Sequence, residues 1–532
     1  MQDADFIIVG AGSAGCVLAE KLSANPAIRV LLLEAGPTDS SPYVHMPRGM
    51  AKLYTDPAQI HYIQTTPHNG IPAETWIRGK LLGGSSSING MMYFRGQPQD
   101  YDAWEDGGCT GWGWSQMGRV FSELEDHALS GTPGANPALG RGGPLRITSA
   151  SCHTRLTEAI IAAGAQMGLP RRAEVTQTDR EGVAYATHTI AGGRRQSAAR
   201  AFLRHARGRS NLVVRTGVTV EQVLFESRRA AGVCAQIDGA AQDFRTNGEV
   251  ILSAGALASP VLLQRSGVGD APHLRALGVE VVHDSPDVGR HLLEHRLLMM
   301  QYALLQPLSQ NTNFRSPMLY LNALRYLLTR TGPLAGGSYD VAAFARTDPD
   351  DPLPDVEILM APYSLSMNAS GEVTTGADHA IHLFGYPLRS RSEGSVSIVS
   401  ANPAVPPAIL PNYLSDTYDQ ATTLRMFRYI RTWMRQPALA GLVGEETLPG
   451  PALESDADII TAFRTQGQAG YHACGTCRMG TVLDSDLRVI GTEGLRVVDG
   501  SMMPTMVSCN TNGPITAVGW RAAELILRGR NQ

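Results

Sequence analysis

The first clear pattern in the chain is a short apolar run, a glycine-rich turn and an apolar helical repeat. Residues 6–9 are continuously apolar and partly β-branched, and residues 10–15 read Gly-Ala-Gly-Ser-Ala-Gly. Residues 16–23 place apolar side chains at helical spacing, and a second apolar run at residues 30–33 ends at Glu34. The pattern predicts a strand, a tight turn, a helix and a second strand.

The glycines of this turn suit the phosphates of a dinucleotide. Gly10 permits the tight turn, Gly12 lets a pyrophosphate approach the backbone, and Gly15 allows the helix to pack closely on the strand. The start of the helix favours the phosphate charge. Glu34 can bind ribose hydroxyls and would repel a 2′-phosphate, which disfavours NADP. The turn alone does not distinguish FAD from NAD, and a glycine-rich turn without a ligand is the alternative.

The remaining pattern divides the chain into stretches of different character. Residues 211–226 and 248–254 are predicted strands. Residues 300–455 are richer in Met, Tyr, Leu and Pro, with alternating runs at 381–384 and 396–399, and predict a mostly separate sheet-bearing domain. Glycine-rich sequence returns from about residue 467. The expected fold class is α/β, or α+β overall, with a Rossmann-like domain and a second domain.

Composition and charge exclude several classes of protein. The 532 residues are 43% hydrophobic and 18% charged with a net charge of −4, and without a basic block we expect no nucleic-acid partner. The best apolar run, residues 250–263, is interrupted by Ser, Gly and Pro, so no membrane span is expected. No signal peptide is recognised, and seven scattered cysteines argue against a disulfide scaffold. We expect a soluble cytoplasmic enzyme of undetermined oligomeric state.

Five further segments carry a family resemblance. They read WIRGKLLGGSSSING at 76–90, GALASPVLLQRSGVG at 255–269, YHACGTCRMG at 471–480, VDGSMMP at 498–504 and NTNGP at 510–514. In this order they closely resemble the signatures of the glucose–methanol–choline (GMC) oxidoreductase family. The nearest members in character are the bacterial choline and sorbose dehydrogenases and the aryl- or furfuryl-alcohol oxidases.

The resemblance implies an FAD-binding domain built from several chain segments, and a substrate domain whose antiparallel sheet lies over the flavin. Residues 1–155 and 201–299 are assigned to the FAD-binding domain. Residues 156–200, mainly, and 300–460 are assigned to the substrate domain. Residues 461–532 return to the FAD-binding domain and contribute the active site.

The resemblance and the glycine turn together imply FAD as the cofactor. Ile88 stands where members with covalent flavin carry histidine, so the FAD is expected to be non-covalent. The residues predicted to contact it are Gly10, Gly12, Ser13, Ala14, Gly15, Glu34, Ala35, Arg78, Leu82, Gly83, Gly84, Ser85, Ser87, Asn89, Gly90, Met91, Val218, Ala254, Asp499, Gly500, Asn510 and Thr511.

The implied chemistry is oxidation of an alcohol, expected to be primary, to an aldehyde. Removal of the hydroxyl proton needs a base, and His472 matches the catalytic histidine of the family. Asn510 matches a second active-site position that orients the substrate oxygen. Many relatives carry histidine there, and an amide cannot titrate, so the base role falls on His472 alone. Tyr471 is a candidate aromatic wall of the substrate pocket, which His472 and Asn510 complete.

Several alternatives stay open at this stage. The electron acceptor is oxygen or a quinone-like carrier. A hydroxynitrile lyase on the same fold, or an NAD-linked dehydrogenase that shares only the first turn, would use the same residues differently. His291-x-x-Glu294-His295 resembles an inverted zinc-protease pattern, but it overlaps a family segment that supports the cofactor, usually GxNLxDH. We assign no metal to it, or to Cys474-x-x-Cys477, which is interpreted as two small buried residues beside His472.

Overall fold

The computed structural model describes residues 4–150, 153–367 and 373–530; Cys152 lies outside these ranges. The α-helices are α1 Ser13–Leu22, α2 Pro42–His45, α3 Met50–Leu53, α4 Pro98–Asp106, α5 Trp114–Leu124, α6 Arg155–Gln166, α7 Arg204–Ala206, α8 Ser259–Arg265, α9 Ala271–Ala276, α10 Met318–Thr329, α11 Thr417–Met434, α12 Asp456–Thr465 and α13 Asn512–Arg530. Shorter helical turns lie at Pro47–Gly49, Gly84–Ser87, Ala199–Leu203, Asn311–Phe314, Pro333–Ala335, Pro437–Leu439 and Gly500–Met502.

The strands of the first half are β1 Phe6–Val9, β2 Val30–Leu33, β3 Ile60–Gln64, β4 Thr75–Gly79, β5 Glu125–His127, β6 Leu145–Ser149, β7 Gly182–Tyr185, β8 Thr187–His188, β9 Ile190–Ala191, β10 Arg194–Arg195, β11 Leu212–Arg215, β12 Thr219–Glu226, β13 Arg229–Ile237, β14 Ala240–Arg245 and β15 Glu249–Leu252. Those of the second half are β16 Val268–Gly269, β17 His283–Asp284, β18 Arg290–Leu292, β19 Arg296–Leu304, β20 Val341–Ala345, β21 Val356–Ala361, β22 Leu365–Met367, β23 Val373–Thr375, β24 Ala380–Pro387, β25 Gly394–Ser397, β26 Ala408–Leu410, β27 Val443–Leu448, β28 Gln468–Ala469 and β29 Leu495–Val497.

A five-stranded parallel sheet in the order β11-β2-β1-β15-β29 forms the core of the part that is predicted to bind the nucleotide. β1 and β2 are apolar and fully buried, as expected for strands covered on both faces. The predicted strands at residues 6–9 and 30–33 are confirmed. The predicted helix begins three residues earlier than its apolar repeat, at Ser13, because Gly12 already serves as its N-cap.

The second large sheet is antiparallel and has the order β27-β19-β24-β21-β20-β7, with β28 also pairing with β19. It confirms the sheet predicted within residues 300–455, and it takes β7 and β28 from outside that stretch. The alternating run at 396–399 does not join it. Its strand, β25, pairs with β18 and β26 in a separate three-stranded sheet.

Alternation along β21 decides which side chains of this sheet face the nucleotide-binding part. Val356 and Ile358 belong to the hydrophobic cluster that includes Phe427 and Ile430 of α11. Leu359 belongs instead to the cluster of the parallel sheet. Since successive side chains of a strand point to opposite faces, Glu357 points the same way as Leu359.

The C-terminal helix spans Asn512–Arg530. It packs against α1, where a Cβ on Gly519 would lie 2.9 Å from the Ala14 Cα. The N-termini of the two helices lie side by side, and the Ser13 hydroxyl of α1 donates a hydrogen bond of 2.8 Å to Asn512 Oδ1 of α13. Across the described residues, no helix has the length and apolar character needed to cross a membrane.

Candidate active site

The segments predicted to hold the cofactor meet at the carboxyl edge of the parallel sheet. The turn at 10–15 follows β1, Glu34 follows β2, Val218 lies beyond β11, Ala254 follows β15 and Asp499 follows β29. Proteins with open parallel sheets bind their ligands in the crevice beyond the carboxyl ends of the strands. The structure therefore brings together five segments that are far apart in the sequence.

The stretch at 82–91 packs directly on the first glycine turn. The Gly83 N–H donates to the Ala11 carbonyl at 2.8 Å, and a Cβ on Gly84 would lie 2.8 Å from the Gly12 Cα. Gly83 also has a φ of 89°, which only glycine adopts readily. Around Gly12 itself there is room, since an added Cβ would meet nothing nearer than the Ser253 carbonyl at 3.9 Å.

Glu34 is buried and holds the backbone of its own turn. Its two carboxylate oxygens accept hydrogen bonds of 2.9 Å from the N–H groups of Ala11 and Gly36. Burial raises the pKa of Glu34, and the backbone donors act against that rise. Each oxygen has a second lone pair, so the ribose role predicted for Glu34 is compatible with these contacts.

Asp499 joins two of the predicted cofactor segments. One oxygen accepts from the Gly255 N–H at 2.8 Å and the Ser259 hydroxyl at 2.6 Å, and the other from the Ser501 N–H and hydroxyl. Its carboxylate thus sets the relative positions of Ala254 and Gly500.

Asn89 is held by a buried arginine that the sequence analysis did not select. The Arg195 guanidinium donates to the Asn89 side-chain oxygen at 2.8 Å and to its backbone carbonyl at 2.6 Å. Arg195 also donates to carbonyls of Val44 and Ser86. It therefore fixes the end of the glycine- and serine-rich stretch.

These features fit a dinucleotide cofactor. Two helix N-termini, those of α1 and α13, converge at Ser13 and Asn512 beside the open surface of Gly12. Helix N-termini favour anionic groups such as a pyrophosphate. Ile88 is buried in a small apolar cluster with Val44, Leu53 and Leu81.

A second cluster contains the predicted catalytic residues. His472 Nε2 lies 3.0 Å from Asn510 Nδ2, and His472 Nδ1 lies 2.9 Å from Nδ1 of His295. His295 Nε2 in turn lies 3.0 Å from the carbonyl oxygen of Leu388, the residue that follows β24. The structure thus brings His472 and Asn510 together and adds His295, which the sequence analysis did not assign to catalysis.

This chain of contacts fixes the tautomers of both rings. A carbonyl only accepts, so His295 Nε2 carries a proton and its Nδ1 is the acceptor when the ring is neutral. His472 Nδ1 must then donate to His295, which leaves the lone pair of His472 on Nε2. Burial lowers the pKa of His472 well below its usual value, with His295 and Arg78 adding to the effect, and burial lowers that of His295 to about 4. Both rings are therefore neutral near pH 7.

Glu294 supports the backbone of both histidines. Its Oε1 accepts from the His472 N–H at 2.6 Å and from the His295 N–H at 3.0 Å. Burial raises the pKa of Glu294 to about 7, against the lowering effect of Arg78, whose guanidinium lies 3.6 Å from Oε2. Arg78 also donates to the Tyr471 carbonyl at 2.9 Å and so holds Tyr471, which has a left-handed φ of 63°.

The three residues of the zinc-like sequence pattern contact different partners. His291 lies 2.6 Å from Glu393 and 3.4 Å from Asp287, whereas Glu294 and His295 face His472. Among the described residues, no three His, Cys, Asp or Glu side chains are arranged to bind a metal. Cys474 and Cys477 are free thiols, and their predicted burial is confirmed.

The large antiparallel sheet places Tyr386 beside the histidine pair, with Glu357 next to it on β21. The Tyr386 ring lies 4.4 Å from that of His295 and 5.6 Å from that of His472. Glu357 is the cross-strand partner of Tyr386, and burial raises its pKa to about 8 although the Tyr386 hydroxyl lowers it. The Tyr386 hydroxyl and the two Glu357 carboxylate oxygens make no hydrogen bond of ordinary geometry with each other or with another described residue. The buried Asn510 Oδ1 also has no hydrogen-bond partner among the described residues.

Comparison with known proteins decides the family. The models of the N-terminal and C-terminal parts of GMC oxidoreductases match residues 4–297 and 390–519. The chain belongs to the GMC oxidoreductase family. Like that family, it is an FAD-dependent enzyme that acts on CH–OH donors.

Relatives match over nearly the whole chain. The alcohol dehydrogenase [acceptor] of Pseudomonas putida is 37% identical over 98% of this chain and 96% of its own length. The mitochondrial choline dehydrogenase of Homo sapiens is 36% identical over 98% of this chain and 89% of its own length. The crystal structure of pyridoxine 4-oxidase from Mesorbium loti superposes with a TM-score of 0.87 at 31% identity, over 99% of both chains.

Four residues near His472 were missed as site residues by the sequence analysis. Glu294 and His295 were visible in the pattern at 291–295, but they were interpreted as cofactor support. Tyr386 and Glu357 lie in buried strands whose composition carries no signal of chemistry. Only the pairing of β21 with β24 places them together.

Proposed function

We propose that this GMC oxidoreductase oxidises a primary alcohol to an aldehyde, with His472 Nε2 as the base. The observation that carries the proposal is the relay from the Leu388 carbonyl through His295 to His472, which leaves a lone pair on Nε2 beside Asn510. The Asn510 amide N–H, 3.0 Å from Nε2, now occupies this lone pair. An alcohol oxygen that displaces the amide from Nε2 would give its proton to His472 and accept the released hydrogen bond from Asn510.

Burial keeps His472 available as a base before proton transfer, and His295 supports the protonated ring afterwards. Its low pKa keeps Nε2 unprotonated near pH 7, so the base is available when substrate arrives. Once protonated, His472 has N–H groups on both ring nitrogens. The Nδ1 lone pair of His295, at 2.9 Å, accepts from one of them and stabilises the imidazolium. Bound FAD would supply the oxidising chemistry by accepting a hydride from the substrate carbon.

We further propose that Arg195 and Glu34 maintain a non-covalent FAD site. Ile88 offers no nucleophilic atom for attachment to the flavin, and Arg195 fixes the neighbouring Asn89. The electron acceptor belongs to one of two classes, oxygen or a quinone-like carrier. The names of relatives include an alcohol dehydrogenase [acceptor] and oxygen-dependent choline dehydrogenases, and thus support both.

The test is an anaerobic titration of the FAD-loaded protein with a panel of alcohols, followed by admission of oxygen. Bleaching of the flavin absorbance by primary alcohols, with matching formation of aldehyde, is expected. Rapid return of the yellow colour in oxygen would identify an oxidase. Slow return in oxygen, but fast return with a quinone, would identify a dehydrogenase. A fully FAD-loaded protein that no alcohol bleaches would overturn the proposal.

A further inference from the structure

Helix α10, Met318–Thr329, exposes its apolar side chains instead of burying them. Tyr320 is 71% exposed and Leu328 is 76% exposed, and Leu321, Leu324 and Leu327 are each more than half exposed. Their spacing of one, four, seven and eight residues places them along one face of the helix. We call Tyr320, Leu321, Leu324, Leu327 and Leu328 the apolar stripe.

The opposite side of α10 is anchored by polar contacts. The Tyr326 hydroxyl donates to the carbonyls of Gly193 at 3.0 Å and His45 at 3.3 Å, and Asn322 donates to the Asn313 carbonyl at 3.0 Å. Both Tyr326 and Asn322 are buried. The helix is therefore held firmly with its apolar stripe facing outward. Scattered exposed leucines are ordinary, but a continuous apolar patch on one helix marks an interaction surface.

The surroundings of the stripe are positively charged. Residues 315–332 contain three arginines and no acidic residue, in a chain whose net charge is −4. The Arg330 guanidinium lies 5.0 Å from the centre of the Tyr326 ring. Burial raises the pKa of Tyr326, and Arg330, Arg194 and Arg200 act against that rise. Burial lowers the pKa of Arg200, with Arg194 and Arg204 adding to the effect and Asp39 opposing it. We call Arg194, Arg200, Arg204, Arg315, Arg325 and Arg330 the arginine rim. Within the described residues, none of them lies within ion-pair distance of a carboxylate.

We propose that the apolar stripe and its arginine rim dock this enzyme on an anionic lipid bilayer. A helix that lies in the membrane interface buries an apolar face in the acyl boundary while basic side chains meet lipid phosphates. This arrangement has both parts and needs no membrane-spanning helix. A second copy of the chain is a poorer occupant, because a two-fold contact would bring the two arginine rims together. The inference does not depend on the proposed chemistry.

The test is flotation of the FAD-loaded protein with two kinds of vesicle. One contains phosphatidylcholine only, and the other contains about one third phosphatidylglycerol. The wild-type protein is expected to float with the anionic vesicles, much less with the neutral ones, and less at high salt. The double substitution Leu324→Glu/Leu328→Glu should reduce the bound fraction by about tenfold or more. Arg315→Gln/Arg325→Gln should reduce it by about fivefold per arginine.

The control is Val399→Glu/Ile490→Glu, which places the same two charges at other partly exposed apolar positions. It should float like the wild type. All variants should keep bound FAD and an unchanged melting temperature, since these side chains are exposed. Absence of flotation, equal flotation with neutral vesicles, or flotation unaffected by the stripe variant would overturn the proposal. So would a lipid-free dimer that Leu324→Glu/Leu328→Glu converts to a monomer in light scattering, because the stripe would then bind a second copy.

Discussion

The Nδ1 atoms of His295 and His472 lie 2.9 Å apart, although the two residues are separated by 177 positions in the sequence. Two ring nitrogens at this distance form a hydrogen bond only if one of them carries a proton and the other does not. The Leu388 carbonyl assigns the proton to His472, and Nε2 of His472 thereby becomes the basic atom. The following predictions depend on this relay and its surroundings.

His472→Ala should keep FAD but slow its reduction by about 10²–10⁴-fold, the usual effect of losing a general base. Raising the pH should partly restore the rate, because more alkoxide forms in solution. Asn510→Ala should have a smaller effect, since it removes an orienting donor and leaves the base. Stopped-flow flavin reduction at saturating alcohol measures both. A wild-type rate in FAD-loaded His472→Ala would place the base elsewhere.

His295→Leu should slow flavin reduction by about tenfold or more with little change in alcohol affinity, because His472 loses the acceptor that sets its tautomer. His295→Gln should recover much of the loss, since its amide can both accept from His472 and donate to Leu388. This rescue separates positioning from packing, because leucine fills a comparable volume. Equal rates in the two variants would remove His295 from the relay.

The rate of flavin reduction should rise as pH increases through about 7, where Glu294 ionises. An ionised Glu294 beside the two histidines strengthens His472 as a base, and Arg78 partly offsets the charge. His472 itself should contribute no inflection there, because its pKa lies well below 6.5. The expected result for Glu294→Gln is a flat profile around pH 7. If its inflection stays in place, another group must be responsible.

Glu357→Gln should stabilise the protein, and more strongly at alkaline pH. The pKa of the buried carboxyl is raised to about 8, so the folded state retains a proton that the unfolded state has released, and stability falls as pH rises from about 4.5 to 8. Glu357→Gln does not undergo this loss of stability. Its free energy of unfolding, relative to that of the wild type, should therefore increase by up to about 4 kcal/mol between pH 5 and 8. Chemical denaturation at both pH values measures it; a gain independent of pH would contradict the assignment.

FAD should be released by acid, because Ile88 cannot form a covalent bond to the flavin. After acid precipitation the yellow colour should appear in the supernatant, and a washed pellet that stays yellow would contradict the prediction. Ile88→His is the matched variant. It restores a nucleophilic ring at the position, and partial retention of flavin on its pellet would show that Ile88 lies within reach of the isoalloxazine.

Much of the nucleotide-binding part could be predicted from the sequence, because its rules are local. A short apolar strand, a glycine turn and a carboxylate at the end of the next strand act within about thirty residues. The family segments further along the chain named His472 and Asn510 before any contact between them was known. Such features depend on residue type and spacing, and both are written in the sequence.

The tertiary structure decided everything that depends on contacts between distant segments. Glu294 and His295 belong to a pattern that the sequence shows directly. Only the pairing of residues 470–474 with residues 293–295 makes them partners of His472. The alternation of side chains along β21 separates its two faces, but it does not show which face lies toward the histidines. The pairing of Glu357 with Tyr386, whose ring contacts both histidines, shows that this face carries Glu357. Likewise the contacts of Tyr326 with the backbone of residues 45 and 193 decide that the apolar stripe of α10 faces outward.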